Sequence, residues 1–596
     1  MIVRSMSLTS LLLACSLAWA EPPSQAFFGD LHIHTTYSMD AFMAGNVRTT
    51  PDDAYRYAKG EAIPHPTAGS IRLTGSPLDF LMVSDHASYL GVNAALLDPT
   101  SPTYGHAESG PMTRGRSLVE TIRLLRRMGE QDHELVGKAV ITDAWQKIIA
   151  AAERHNDPGR FTAFIGYEYT PSPGSRHLHR NVIFRDANPP RTPFSARDSD
   201  DPADLWDWLD TLRHEGVEAL AIPHNMNQSD GLAFMTTTWQ GDPIKRAFAE
   251  KRMRNEPIAE ISQQKGTSET HPMLSPNDEW ADFQIVQYYL NRAENKDPIS
   301  VFKGGYYRDA LLTGLTFKAE QDFNPYQLGA IGSSDSHVSA GAYEENQRFS
   351  SRSNDAVSRG SAYPDHADPK KNWQGFWTPR QATHGTGGLA GVWAKENTRA
   401  ALYDAMRRRE TFATSGPRIR VRLFASPDFS DNPNADAHGY TQGVPMGGIL
   451  PGSLDKGPEL FVWAARDPHD SWLQRIQIVK GWVDDGKPYE RVYDVSCADG
   501  LVPDPDTHRC PDNGASVNLK DCSISHDKGA VELSTIWRDP DFNPENQAFY
   551  YARVLQNPTC RWSTWDAIRL GISPNPDLPA THQERAWSSP IWFEPN

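Results

Sequence analysis

Gly29-Asp30-Leu31-His32-Ile33-His34-Thr35-Thr36-Tyr37-Ser38-Met39-Asp40 closes the first apolar run of the chain after its N-terminal segment. Side chains alternate faces along a strand, so His32 and His34 project to one side and two imidazoles can reach one metal ion. A His-x-His pair alone fits two hydrogen-bonded strand histidines equally well. Repetition of the pattern decides the reading: Val83-Ser84-Asp85-His86, Tyr167-Glu168, Pro223-His224 and Ser334-Asp335-Ser336-His337 each follow an apolar run. In a parallel α/β barrel the strand ends on one rim face a common site, where ligands distant in sequence converge. Imidazole mixed with carboxylate suits hard and borderline divalent ions, and the lack of Cys argues against a purely structural zinc site.

Outward from this motif, short apolar runs alternate with helical stretches from Ala26 to about Ser415, the pattern of βα units around a parallel sheet. The runs include Phe27 to Ile33, Leu78 to Val83, Phe161 to Ile165, Ala219 to Ile222 and Leu328 to Ile331. Thr50-Pro51-Asp52-Asp53 reads as a helix start, with a capping Thr, a first-turn Pro and acids that favour the dipole. Thr142-Asp143 reads as another, carrying Trp145, Ile148, Ile149 and Ala152 as a packing face. Residues 338–391 break the rhythm with Ser, Asn, Gly, Pro and charge, and read as a long excursion over the barrel face. Its aromatics Trp373, Phe376 and Trp377 read as loop anchors or as an apolar pocket for a leaving group. After Gly416-Pro417 the texture becomes alternating strands, as in Ile419 to Leu423, Glu459 to Trp463, Ile476 to Val479 and Phe549 to Val554. The expected organisation is a barrel over 26–415, including that excursion, and a β-rich, sandwich-like domain over 416–596.

A chain of 596 residues exceeds what one core supports, which agrees with two domains. The formal net charge of −16, with no long Lys/Arg block, argues against a nucleic-acid partner. Residues 1–20 read as an export signal: Arg4, an apolar stretch from Met6 to Leu17, and the small-x-small pattern Ala18-Trp19-Ala20. The rival reading makes Leu12-Leu13-Ala14-Cys15 a lipoprotein box that anchors Cys15 to a membrane. No later run is long enough to span one. The protein is therefore expected in the periplasm or secreted. Cys497, Cys510, Cys522 and Cys560 are even in number, and of three pairings the favoured one is Cys497 with Cys510 and Cys522 with Cys560, because both close local loops. The competing four-Cys zinc site lacks close Cys-x-x-Cys pairs.

Through these motifs the chain resembles the polymerase and histidinol phosphatase (PHP) superfamily, and Glu260-Ile261-Ser262-Gln263-Gln264-Lys265-Gly266-Thr267-Ser268-Glu269-Thr270-His271-Pro272 and Arg408-Arg409-Glu410-Thr411-Phe412-Ala413-Thr414-Ser415-Gly416 carry a narrower resemblance inside it. Within it the resemblance is to the domain of unknown function 3604 family, related to the carbaryl-hydrolase group. That resemblance implies a distorted (β/α) barrel and two or three divalent ions, zinc, manganese or iron. It also implies their ligands: His32, His34, Glu168 and Asp335 for a first ion, Glu168 with His179 and His224 for a second, and Asp40, His86 and His337 for a third. Asp40 stands where some relatives have His. His177 competes with His179, which is preferred because it leads into the next apolar run.

Asp85 is a candidate to orient a ligand or to cap loop amides. Arg180, Asn225 and Lys265 are candidates to hold a substrate oxyanion. The implied activity is hydrolysis of a small ester by metal-activated water, with phosphoesters first and carboxylic esters or carbamates second. A bridging Glu168, where amidohydrolases carry Lys, separates the chain from that superfamily. The non-catalytic rival is an envelope protein that uses metal only for stability. The sequence leaves the oligomeric state open.

Overall fold

A computed structural model describes residues 24–595 except 44, 66–68, 102, 105–123, 129, 131–135, 287–298, 350–382, 430–434, 453 and 455. The expected signal 1–20 with Cys15, the middle of the excursion 338–391, and Trp373, Phe376 and Trp377 lie outside the described residues.

Three parallel strands begin the fold: β1 (Gln25–Ile33), β2 (Phe80–Val83) and β3 (Thr162–Tyr169). β2 and β3 are buried along their whole length, as parallel strands covered on both faces must be. Gly29 lets β1 and β2 approach, because a Cβ there would lie 2.4 Å from the Phe80 carbonyl oxygen. Helix α1 (Pro51–Ala58) carries the expected cap: Thr50 accepts from the Asp53 amide and Asp53 closes back on the Thr50 backbone. Helix α2 (Lys138–His155) begins before the expected Thr142, at Gly137. It buries Trp145, Ile148 and Ala152, with Ile149 only partly covered.

The sheet is mixed, which corrects the purely parallel expectation. β4 (Arg180–Phe184) runs antiparallel to β3, and β5 (Ala219–Pro223) antiparallel to β4. Residues 170–179 join β3 to β4 with one short 3-10 turn, whereas a parallel crossover needs a dozen residues or more. β6 (Ile258–Gln263) and β7 (Gly329–Gly332) form a separate parallel ladder. The chain leaving β7 returns to β1: the Asp335 amide donates to His32 O at 2.8 Å and the His34 amide to Ser336 O at 2.8 Å. The ends of β1, β2, β3, β5 and β7 thus surround one pocket.

β8 (Leu389–Ala394) pairs antiparallel with the other edge of β1, and β9 (Thr411–Thr414) with β8. The ladder runs on beyond residue 416. The later strands are β10 (Arg420–Ser426), β11 (Ile449–Pro451), β12 (Glu459–Ala465), β13 (Leu473–Asp484), β14 (Lys487–Cys497), β15 (Glu532–Arg538), β16 (Ala548–Gln556), β17 (Arg585–Ser588) and β18 (Ile591–Glu594). β17 joins β9 to β16, while β10, β12 and β15 make a second antiparallel sheet. One buried cluster holds Phe28 and Trp145 together with Val421, Leu460 and Val554. Disulfides link Cys497 to Cys510 and Cys522 to Cys560, the favoured pairing, so these sulfurs form no zinc site.

Candidate metal centre

His32 and His34 enter the pocket from the end of β1, fully buried. The Glu260 carboxylate on β6 lies 3.1 and 3.2 Å from His32 Nδ1. A carboxylate only accepts, so it sets the proton on Nδ1 and turns the Nε2 lone pair inward. His34 is set the same way: Nδ1 meets Ser38 Oγ at 2.8 Å, and Ser38 Oγ donates to Asp85 Oδ1 at 2.7 Å. Asp85 also accepts from the Thr35 amide at 2.7 Å and the Thr35 hydroxyl at 2.6 Å. Asp85 thus accepts from the Thr35 loop and from Ser38, whose hydroxyl contacts His34.

Glu168, at the end of β3, and Asp335, after β7, face these rings. Glu168 Oε2 lies 3.4 Å from His32 Nε2 and 3.3 Å from His34 Nε2, and Asp335 Oδ1 lies 3.4 and 3.3 Å from the same two atoms. These four atoms are buried and make no hydrogen bond with protein. Tetrahedral ligands ~2.1 Å from an ion stand about 3.4 Å apart. Each imidazole–carboxylate separation here matches that edge, and His32, His34 and Asp335 form one set of donors close enough to share a divalent cation. Asp335 adopts the left-handed conformation, with φ 58°, which Asp tolerates better than most residues.

Glu168 Oε1 meets His179 Nδ1 at 2.8 Å and His224 Nε2 at 3.1 Å. His177 stacks on His179, with ring centroids 4.1 Å apart, so His179 is the one that meets Glu168. Asp40 bridges two imidazoles, His86 Nε2 at 3.1 Å and His337 Nε2 at 2.7 Å. Three overlapping sets have ligand atoms mutually within 4.8 Å: His34, Asp40, His86 and His337; His32, His34 and Asp335; His32, Glu168 and His224. His179 falls outside these sets and touches the pocket through Glu168.

The buried imidazoles and carboxylates shift one another's charge states. Burial would raise Glu168, yet His86 and His224 hold it well below the usual carboxylate range. The same contest lowers Asp335 against His32 and Lys265, and Asp40 against His337 and His86. Burial lowers His34 and His224 and pushes His179 down to about 4. For His32 and His86 burial acts downward, but the facing carboxylates prevail and carry His86 up to about 10. A metal ion would take over that compensating positive charge, since it binds neutral imidazole and ionised carboxylate.

The other candidates sort by position. Lys265 Nζ contacts Asp335 Oδ2, and the Asn225 side-chain amide lies 3.4 Å from the same oxygen. Arg180 is buried, donating to Glu256 Oε1 at 2.8 Å and to the Leu178 carbonyl at 2.5 Å. Sequence reasoning missed the roles of Glu260, of Gln263, which donates to Asp335 Oδ2 at 2.8 Å, and of Asp30. Asp30 accepts from the His32 amide at 2.9 Å, the Ser334 amide at 3.1 Å and the Tyr343 hydroxyl at 2.7 Å, which ties β1 to the Asp335 turn. A carboxylate inside an otherwise uncharged strand such as Ile258–Gln263 was the available signal for Glu260.

The family model described as "Protein of unknown function (DUF3604)" matches residues 21–595. The chain belongs to the DUF3604 family. No curated protein matches it. A solved structure of a two-domain protein from Bacteroides vulgatus ATCC 8482, containing a predicted PHP-like metal-dependent phosphoesterase, is 11% identical over 94% of this chain and 95% of that chain. Its TM-score is 0.28, and the likeness carries no argument about this member of DUF3604.

Proposed function

We propose that this DUF3604 protein is an exported, metal-dependent hydrolase of small phosphoesters, with two or three divalent ions held by His32, His34, Asp40, His86, Glu168, His179, His224, Asp335 and His337. The observation that carries the reading is the convergence of four buried, unbonded atoms: His32 Nε2, His34 Nε2, Glu168 Oε2 and Asp335 Oδ1. Divalent ions supply Lewis acidity, acidifying water and drawing charge from an ester oxygen. The carboxylates of Asp40, Glu168 and Asp335 leave such ions a net positive pocket, which favours an anionic phosphoryl group over a neutral acyl group.

Around the ions, Lys265 and Asn225 fix Asp335 and offer donors to a substrate oxygen. Asp85 holds His34 in place, and Arg180 braces the start of β4 beside the pocket. The reading keeps a PHP-like distorted barrel over 26–415 and a β-rich, sandwich-like unit over 416–596. Periplasmic or secreted location is supported by the two disulfides, and no helix among the described residues is long and apolar enough to cross a membrane.

The test is turnover of phosphomonoester, phosphodiester, carboxylic-ester and carbamate chromogens by protein loaded separately with zinc, manganese or iron. Phosphoester turnover that disappears in His34→Ala is expected. Turnover unchanged in that variant removes the site, and acyl turnover alone replaces the substrate class.

A further inference from the structure

A second cluster of ligand-type side chains stands apart from the nine residues above. We propose that Glu345, His582 and Glu584 form a structural divalent-cation site that fastens the chain beyond His337 to the C-terminal strands. Glu345 lies in a short 3-10 turn (Glu345–Gln347) at the start of the excursion. His582 ends a short strand, Thr581–His582, paired with Thr559–Cys560, whose Cys560 is bonded to Cys522. Glu584 directly precedes β17, the strand that lies between β9 and β16 in the large sheet.

Each carboxylate has one oxygen in protein contacts and the other directed at the imidazole. Glu345 Oε2 accepts from the Trp562 amide, and Glu584 Oε2 accepts from the Ser415 hydroxyl. Their Oε1 atoms face His582 Nε2 at 3.7 Å and 3.0 Å. Glu345 Oε1 and His582 Nε2 are buried and make no hydrogen bond, and the three side chains are 6%, 8% and 1% exposed for Glu345, His582 and Glu584. The three donor atoms lie within 4.8 Å of one another. The two measured separations straddle the ~3.4 Å edge expected for ligands around a tetrahedral ion.

One imidazole with two carboxylates suits a borderline ion such as zinc. Nearby charge is mixed. Asp470 lies close enough to Glu584 for the two carboxylates to disfavour each other's charge. Arg561 opposes a cation near His582, but its guanidinium donates to Ser563 Oγ at 2.9 Å and to His384 O at 2.8 Å. Arg585 lies over the Phe283 ring at 3.8 Å. The rival arrangement is an ion-free imidazolium between two glutamates.

The experiment strips the full mature chain with a chelator, reloads it with zinc alone and counts bound zinc by elemental analysis. Glu345→Gln and His582→Ala should each retain one equivalent fewer than wild type. His34→Ala loses zinc from the other cluster, and the double variant His34→Ala with Glu345→Gln loses both increments, so failure of one site is read separately from failure of the other. The zinc-dependent rise in Tm should also shrink in Glu345→Gln. That variant keeps an acceptor for the Trp562 amide and decides the question if His582→Ala fails to fold. A folded Glu345→Gln chain with the wild-type zinc count and Tm response overturns the site in favour of the imidazolium.

Discussion

Glu260 acts on the pocket without entering it: its carboxylate holds His32 Nδ1 and leaves Nε2 facing Glu168 and Asp335. Outer partners of this kind are worth 10- to 100-fold in metal affinity. Glu260→Gln should therefore weaken zinc binding by about one to two orders of magnitude while leaving far-UV circular dichroism unchanged; wild-type affinity in a competition titration would refute the role. Asp470 makes a different kind of prediction. Burial, and then Glu584, push its carboxyl up to about 7 from 3.8. The folded pKa lies above the unfolded one, so the stability it contributes is full below about pH 4 and is lost as pH rises through 7. Asp470→Asn should raise stability at pH 8 by on the order of 2–4 kcal/mol, and the gain should vanish near pH 4, as read from chelator-treated thermal melts. His32, His34, His86, Glu168, His224 and Asp335 stand out in the sequence because each sits at or just beyond the end of an apolar run, whereas Asp40 and His179 entered only through the family resemblance. Glu260, Gln263 and Asp30 do not stand out, because a side chain that acts through another leaves no spacing pattern of its own.

At the scale of elements, local chemistry wrote the clearest signals. The Thr50-Pro51-Asp52-Asp53 start was legible because a cap is a contact within four residues, and the structure closes it in both directions. Thr50→Ala should cost about 1 kcal/mol in urea unfolding. The start of α2 was misplaced because Gly137 offers no side-chain cap, so Thr142 was the first visible signal. Strand direction was illegible for a related reason: pairing belongs to two segments and is written in neither. Gly29 shows how an element transmits to the site. An added Cβ would sit 2.3 Å from the Phe80 ring, forcing β1 from β2 only three residues before His32. Gly29→Ala should destabilise the fold by roughly 1–3 kcal/mol and weaken metal uptake in the same protein. Unchanged metal affinity in a destabilised Gly29→Ala chain would show that strand spacing does not position His32.

Across the whole molecule, the change of texture at Gly416 was read as a boundary, and the hydrogen bonds pass through it. β17 lies antiparallel between β9 and β16, so residues from both sides of position 416 share one ladder. A buried ionic network ties the same parts. Arg553 on β16 donates to Asp278 at 2.7 and 2.9 Å, while Arg308 donates to Asp278 at 2.9 Å and pairs with Glu269. The arginines hold both acids below the usual carboxylate range against the burial that would raise them. Removing one partner of such a network leaves a desolvated charge, at a cost of about 3–5 kcal/mol. Arg553→Met should cost that much, and adding Asp278→Leu should return part of it because fewer unpaired acids remain buried. If the two halves fold as one unit, tryptophan fluorescence and loss of bound zinc will follow a single shared urea transition in wild type. The same transition should move to lower urea in Arg553→Met. Two separated transitions, with only the later strands shifted by Arg553→Met, would instead mark position 416 as a division between independently stable domains.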